Sequence, residues 1–121
     1  IIDMEHGAMD YEMAGKMVMA AEVEGCSPII RVPMNNESVI LRALEVNSEV
    51  VIVPHIETAQ ERKKVVKAIK FPPVGIRSLN PYVRAGGYQS QPGFTDKQNK
   101  RTLAAILVES LNGIKNIIFF K

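Results

Sequence analysis

Apolar residues in this chain come in short runs that stop at a polar or charged residue. Ile1-Ile2 leads into Asp3-Met4-Glu5-His6-Gly7, Pro28-Ile29-Ile30 into Arg31-Val32-Pro33, and Leu103-Ala104-Ala105-Ile106-Leu107-Val108 into Glu109. Val50-Val51-Ile52-Val53-Pro54 is apolar throughout. Runs of this kind predict strands of a parallel sheet covered on both faces. Gly75-Ile76-Arg77 and Ile117 to Phe120 are shorter strand candidates. Between the runs, apolar positions change to helical spacing: Met13, Met17, Ala20 and Ala21, then Ile40, Ala43 and Leu44, then Val65, Val66 and Ile69. The methionines at that spacing are read as core packing. End signals agree. Asp10 and Asn35 or Asn36 can cap helix starts, Thr58-Ala59-Gln60-Glu61 is a capping box, Gly25 sits where a helix C-cap belongs, and Phe71-Pro72-Pro73 stops the third helix.

Strand ends therefore recur near Asp3, Arg31, Pro54, Arg77 and Glu109, at intervals of 28, 23, 23 and 32 residues counted from the numbering. That period belongs to right-handed βα units and predicts a (β/α)8 barrel or an open doubly wound sheet. Neither Gly-x-Gly-x-x-Gly nor a P-loop pattern occurs, which weakens the nucleotide-binding form of the open sheet. In a barrel, polar residues at the carboxyl ends of the strands converge on one mouth, which would gather Asp3, Glu5, His6, Arg31 and Glu109. An isolated D-x-E-H pattern also fits a solvated strand end with a capping histidine; the recurrence of such ends favours an active site. His55, whose acidic sequence neighbour is Glu57, reads as a packing or variable polar residue. Asn80 to Asp96, with Gly86-Gly87 and Pro92-Gly93, forms the longest polar loop and is expected to be functional or mobile.

Composition excludes several function classes. The chain has 121 residues, 46% of them apolar and 23% charged, enough for one domain with a core. A net charge of +2 and the absence of Trp give no footprint for a nucleic-acid partner. Arg62, Lys63, Lys64, Lys67 and Lys70 fall at helical spacing and read as a solvated helix face. The single cysteine, Cys26, forms no disulfide framework and fits a reducing cytoplasm. No apolar run approaches the roughly 18 residues a membrane span needs. The chain begins inside a predicted strand without an initiator Met, so residues upstream are expected.

Together these motifs resemble the HpcH/HpaI aldolase family. The resemblance rests on I-D-M-E-H-G at residues 2–7, R-V-P at Arg31 to Pro33, V-P-H at Val53 to His55, F-P-P-V-G-I-R at Phe71 to Arg77, R-A-G-G-Y at Arg84 to Tyr88, and V-E-S at Val108 to Ser110. It implies an α/β fold of the TIM (β/α)8 type. It also implies metal-dependent class II cleavage and condensation of 2-keto-4-hydroxy acids, such as 2,4-dihydroxyhept-2-ene-1,7-dioate or 2-keto-3-deoxy sugar acids. Pyruvate and an aldehyde would be the small-molecule partners, the cofactor a divalent cation (Mg2+, Mn2+ or Co2+), and the protein a cytoplasmic homo-oligomer.

By the same resemblance His6 matches the catalytic base, Arg31 the arginine that holds the pyruvate carboxylate, and Glu109 the first of two acidic metal ligands. Glu45 stands where the family often has an Asp that orients the histidine, and Arg84 is expected either to hold the substrate's far end or to be an ordinary solvated arginine of a surface loop. A guanidinium and a divalent cation suit an enolate, and no lysine sits where a Schiff base would need one. Departures are Leu107 in place of a common Gln and Asn47-Ser48 in place of Gly-Ala. The second metal-binding acid belongs to a G-P-x-D-L segment that has no counterpart here. Residues 1–121 are therefore expected to be the middle portion of a barrel, lacking its first strand and C-terminal units, with a gap near Asn116 where a helix is missing. Alternatives are a citrate-lyase-like acyl-CoA lyase and a non-catalytic remnant or assembly subunit of the same fold.

Overall fold

The computed structural model describes residues 1–120. Four strands, β1 (Ile2–Asp3), β2 (Ile29–Arg31), β3 (Val50–Val53) and β4 (Leu103–Ile106), form one parallel sheet in the order β1-β2-β3-β4. Five α-helices separate or follow them: α1 (Tyr11–Val23), α2 (Glu37–Glu45), α3 (Ala59–Ile69), α4 (Phe94–Arg101) and α5 (Leu111–Asn116). Sequential strands that pair in parallel through helical crossovers are the repeating unit of the predicted barrel. No helix among the described residues is long and apolar enough to cross a membrane.

Register decides which side chains share a face. Ile2 pairs with Ile30, Ile30 with Val51 and Val51 with Ala104, so this row faces one way and packs with Val18, Ile40, Leu44 and Val65 in the core. The alternate row runs Asp3, Arg31, Ile52 and Ala105, on the opposite face. Only the helix-facing row is fully buried, at 0% exposure for Ile30 and Val51. Among the described residues helices cover one side of the sheet, and on the other Leu103 of β4 is 58% exposed.

The caps follow the sequence. Asp10 accepts from the Met13 N–H at 2.8 Å, Asn36 from the Ser38 and Val39 N–H groups, and Thr58 and Glu61 close the capping box on α3. Asn47 takes φ of +76°, which asparagine tolerates. Other expectations change. In α1 the buried residues are Ala14 and Val18, while Met13 and Met17 are 48% and 39% exposed, so the inward face lies one position along from the methionine stripe. Val66 is likewise 40% exposed.

Gly75-Ile76-Arg77 is not a strand. Its amides turn back on the end of α3, with Ile76 N–H donating to Lys67 O at 2.9 Å and Arg77 N–H to Lys70 O at 2.8 Å. Arg77 lies buried with its guanidinium 4.5 Å from the centre of the Phe71 ring, and burial lowers its pKa to about 10. Ile117–Phe119 is a 3-10 turn continuing from α5, so the strand expected at Ile117 to Phe120 is not formed among the described residues. The long loop holds a 3-10 turn at Arg84–Gly86 and gives way to α4, a helix whose nearly all-polar sequence hid it.

Because the Ile30 row is the core and the α1 methionines are surface, truncation at the two places should differ sharply. Ile30→Ala should cost about 2–5 kcal/mol and Met17→Ala no more than about 0.5 kcal/mol, read as shifts in the urea midpoint. Similar losses for both would contradict the face assigned to α1.

Candidate active site at the carboxyl ends of the strands

Asp3 and Arg31 end adjacent strands and are partners in register, so their side chains leave the same face side by side. Arg31 Nε donates to Asp3 Oδ1 at 2.9 Å and its Nη2 donates to Asp3 Oδ2, a two-pronged charged bond. This bond, chiefly, holds the Asp3 carboxyl well below the usual aspartate range. Asp3 Oδ1 also accepts from the backbone N–H groups of Glu5 at 3.0 Å and His6 at 3.3 Å. The carboxylate therefore folds the loop that presents the next two residues. Gly7 is required there, since a Cβ would stand 2.2 Å from the Asp3 carbonyl oxygen.

Glu5 points into the mouth with 9% of its side chain exposed. Arg31 Nη1 stands 3.1 Å from Glu5 Oε2, an ion pair whose angles fall short of a hydrogen bond, so this buried oxygen has no donor. His6 is 73% exposed, with Nε2 3.8 Å from the same oxygen.

The other side of the mouth comes from β3 and β4. His55 follows β3 at φ +56°, a left-handed backbone uncommon outside glycine. Two contacts hold it there: its N–H donates to Glu109 Oε1 at 2.9 Å, and Ile56 N–H donates to Leu107 O at 3.0 Å. The ring then lies between two acids, Nε2 3.2 Å from Glu5 Oε1 and Nδ1 3.1 Å from Glu109 Oε1. Glu57 accepts from the Ser110 hydroxyl and from Asn112 at 2.9 Å, which ties the two loops together and lowers the Glu57 pKa.

Residues 1–118 match the HpcH/HpaI aldolase/citrate lyase family. The chain belongs to that family. Among curated relatives it is 29% identical over 117 residues to a 2-dehydro-3,6-dideoxy-6-sulfogluconate aldolase of Pseudomonas putida, and 28% identical to a 5-keto-4-deoxy-D-glucarate aldolase of Citrobacter koseri. Each alignment covers 97% of this chain and 46% of the relative, so the chain spans about half the length of the curated relatives it matches. An HpcH/HpaI aldolase/citrate lyase family protein from Burkholderia cenocepacia J2315 superposes with a TM-score of 0.93 at 26% identity, over 98% of this chain and 49% of that one. The citrate synthase SbnG superposes with a TM-score of 0.83 at 28% identity, over 98% and 45%. The parallel sheet and its helices are thus about half of an HpcH/HpaI barrel, and the two curated relatives named are sugar-acid aldolases.

Of the residues expected at the site, His6, Arg31 and Glu109 share the mouth, whereas Glu45 and Arg84 do not. Glu45 ends α2 and exerts its charge on Arg77. Arg84 binds Glu22 near the end of α1, in a polar group with Asn47, Glu49 and Arg101 that precedes β3 and β4. Both therefore lie toward the amino ends of the strands, away from His6. The expected dyad of Glu45 with His6 is not formed within this chain; the acid beside His6 is Glu5.

His55, expected to be a packing or variable polar residue, stands exposed in the mouth between two acids. Its signal was the position just past a strand end, and its acidic partners come from 50 residues before and 54 after, positions 5 and 109.

Glu5, His55 and Glu109 each offer a donor atom within 4.8 Å of the others. A metal ion with bonds of about 2.1 Å spans donors up to about 4.2 Å apart, so small side-chain adjustments bring all three into reach. The buried Glu5 Oε2, which accepts no hydrogen bond, and the donor chemistry both fit a divalent cation.

The Asp3–Arg31 bond carries a pH signature. A carboxyl whose pKa is lowered by folding stabilises the fold above the ordinary aspartate value of about 3.9 and loses that contribution as pH falls below it. Asp3→Asn should melt below the wild type at pH 7, with the gap in Tm closing as pH is lowered from about 5 to about 2. A gap that does not change with pH would refute this account of Asp3.

Proposed function

We propose that this chain carries the catalytic mouth of a divalent-metal-dependent aldolase that cleaves and forms 2-keto-4-hydroxy acids, with pyruvate and an aldehyde as the cleavage products. The observation that carries the reading is the meeting of Arg31, Glu5 and Glu109 at one end of a sheet that belongs to an aldolase family. The sugar-acid aldolases among its relatives support the same substrate class.

Cleavage needs three services. The 4-hydroxyl proton must leave, the electrons of the C3–C4 bond must be accepted by the keto-acid fragment as the aldehyde departs, and C3 must then be protonated. His6, exposed at the mouth beside Glu5, is assigned the proton transfers, a role worth about 10²- to 10⁴-fold in rate. Arg31 is assigned the substrate carboxylate: Asp3 holds Nε and Nη2 and fixes the plane of the guanidinium, and Nη1, 3.1 Å from Glu5 Oε2, faces the mouth. Glu109 and Glu5 are assigned the cation. When bound, the cation polarises the 2-oxo group and offsets the negative charge that builds there. Glu45 and Arg84 are assigned structural parts at the opposite end of the strands.

A second reading, chemistry on a citrate-like acid, is favoured by one observation, the likeness to citrate synthase SbnG. Turnover of a CoA thioester without chemistry on free pyruvate would select it.

The direct test is exchange of pyruvate methyl protons with deuterated solvent, followed by NMR with and without chelator. Exchange should require the metal, and Glu109→Gln should abolish it with Tm unchanged, since this exposed acid supports no core. Arg31→Lys keeps the charge and loses the planar fork, so pyruvate affinity and rate should fall together, whereas His6→Ala should lower the rate by about 10²-fold or more with affinity retained. Equal exchange in wild type and Glu109→Gln would remove Glu109 from the site.

A further inference from the structure

We infer that His55 supplies a ring nitrogen to the same divalent cation, which fits the site to a borderline ion such as Co2+ or Zn2+ over Mg2+. This rests on the metal-dependent reading above and adds to it a ligand and a metal class.

Charge balance asks for a cation. Three carboxylates, Asp3, Glu5 and Glu109, face one guanidinium, Arg31, and Asp3 takes two of its nitrogens. An exposed acid can leave its surplus charge to water. Glu5, with 9% of its side chain exposed, cannot: its Oε2 has only the ion pair with Arg31 Nη1 at 3.1 Å, without hydrogen-bond geometry, and Arg31 is already shared with Asp3.

The ring is posed as a ligand. Its Nε2 lies 3.2 Å from Glu5 Oε1, close to the roughly 3.0 Å between neighbouring ligands at right angles on an ion with bonds of about 2.1 Å. Its Nδ1 lies 3.1 Å from Glu109 Oε1. Metal-bound histidines characteristically donate the other ring N–H to a carboxylate, which fixes the tautomer. Here the carboxylate beside Nδ1 is that of Glu109, whose Oε1 stands 3.1 Å from the ring nitrogen and accepts the backbone N–H of His55. The left-handed backbone at His55 supports the same reading, since strained conformations held by several bonds concentrate at functional sites. Imidazole suits Co2+ and Zn2+, whereas Mg2+ keeps to oxygen ligands.

The test is calorimetric titration of the wild-type protein and His55→Asn with Co2+ and with Mg2+, together with proton NMR of the Co2+ form. Asparagine accepts the left-handed backbone, so this variant keeps the loop while removing the ring. The Co2+ form of the wild type should show a far-shifted, exchangeable imidazole N–H resonance that disappears in His55→Asn and persists in His6→Ala. Affinity for Co2+ should fall about 10- to 100-fold in His55→Asn while that for Mg2+ changes less than about threefold. Co2+ bound equally by both proteins, without the resonance, would overturn the assignment of His55 and leave Glu5 and Glu109 as the metal site. Failure of the wild type to bind either ion would overturn both readings.

Discussion

The bond between Asp3 and Arg31 organises the mouth because it joins a backbone fact to a chemical one. The two residues are register partners at the ends of neighbouring parallel strands, so the pairing of β1 with β2 delivers a carboxylate and a guanidinium to adjoining positions. The same carboxylate then accepts two amides of the following loop and turns Glu5 and His6 toward the site. One aspartate thereby fixes the plane of Arg31, the path of the loop and the direction of two further side chains. The D-x-E-H-G order follows from this, with Gly7 needed where the chain passes close to the Asp3 carbonyl.

The opposite wall is built on the same logic with different parts. β3 and β4 are also register partners, and hydrogen bonds continue past their ends from Leu107 to Val53 and from Ile56 to Leu107. That extension brings His55 beside Glu109, and the bonds from Ser110 and Asn112 to Glu57 hold the two loops at a fixed separation. Neither wall depends on the long segment between α3 and α4, whose polar contacts run to the other end of the sheet.

Much of the architecture was legible because its signals are local. The apolar runs of β1 to β3, the Asp10, Asn36 and Thr58 caps and the Phe71-Pro72-Pro73 stop each act over a few residues, and each stands where the sequence placed it. Gly75-Ile76-Arg77 misled because its amides found partners in the last turn of α3, a local solution that competes with sheet pairing. The α1 methionines misled because Ala14 and Val18 share their periodicity one step along, and helical spacing alone does not say which stripe turns inward. At the site, His6, Arg31 and Glu109 were readable as strand-end residues. The meeting of His55 with Glu5 and Glu109 was not, since it joins three separate βα units through tertiary geometry, and the placement of Glu45 away from His6 depends on the same geometry.

Only five residues separate β3 from α3, and they are tied at both ends: Ile56 to Leu107 on one side, the Thr58 and Glu61 cap on the other. Such a connection has little freedom left to lose when something occupies the mouth. The entropy of ordering His55 is spent when the chain folds and is not subtracted again from each binding event. Discrimination between occupants then falls to the chemistry of their atoms, because a short, doubly anchored loop reshapes itself poorly around a different guest.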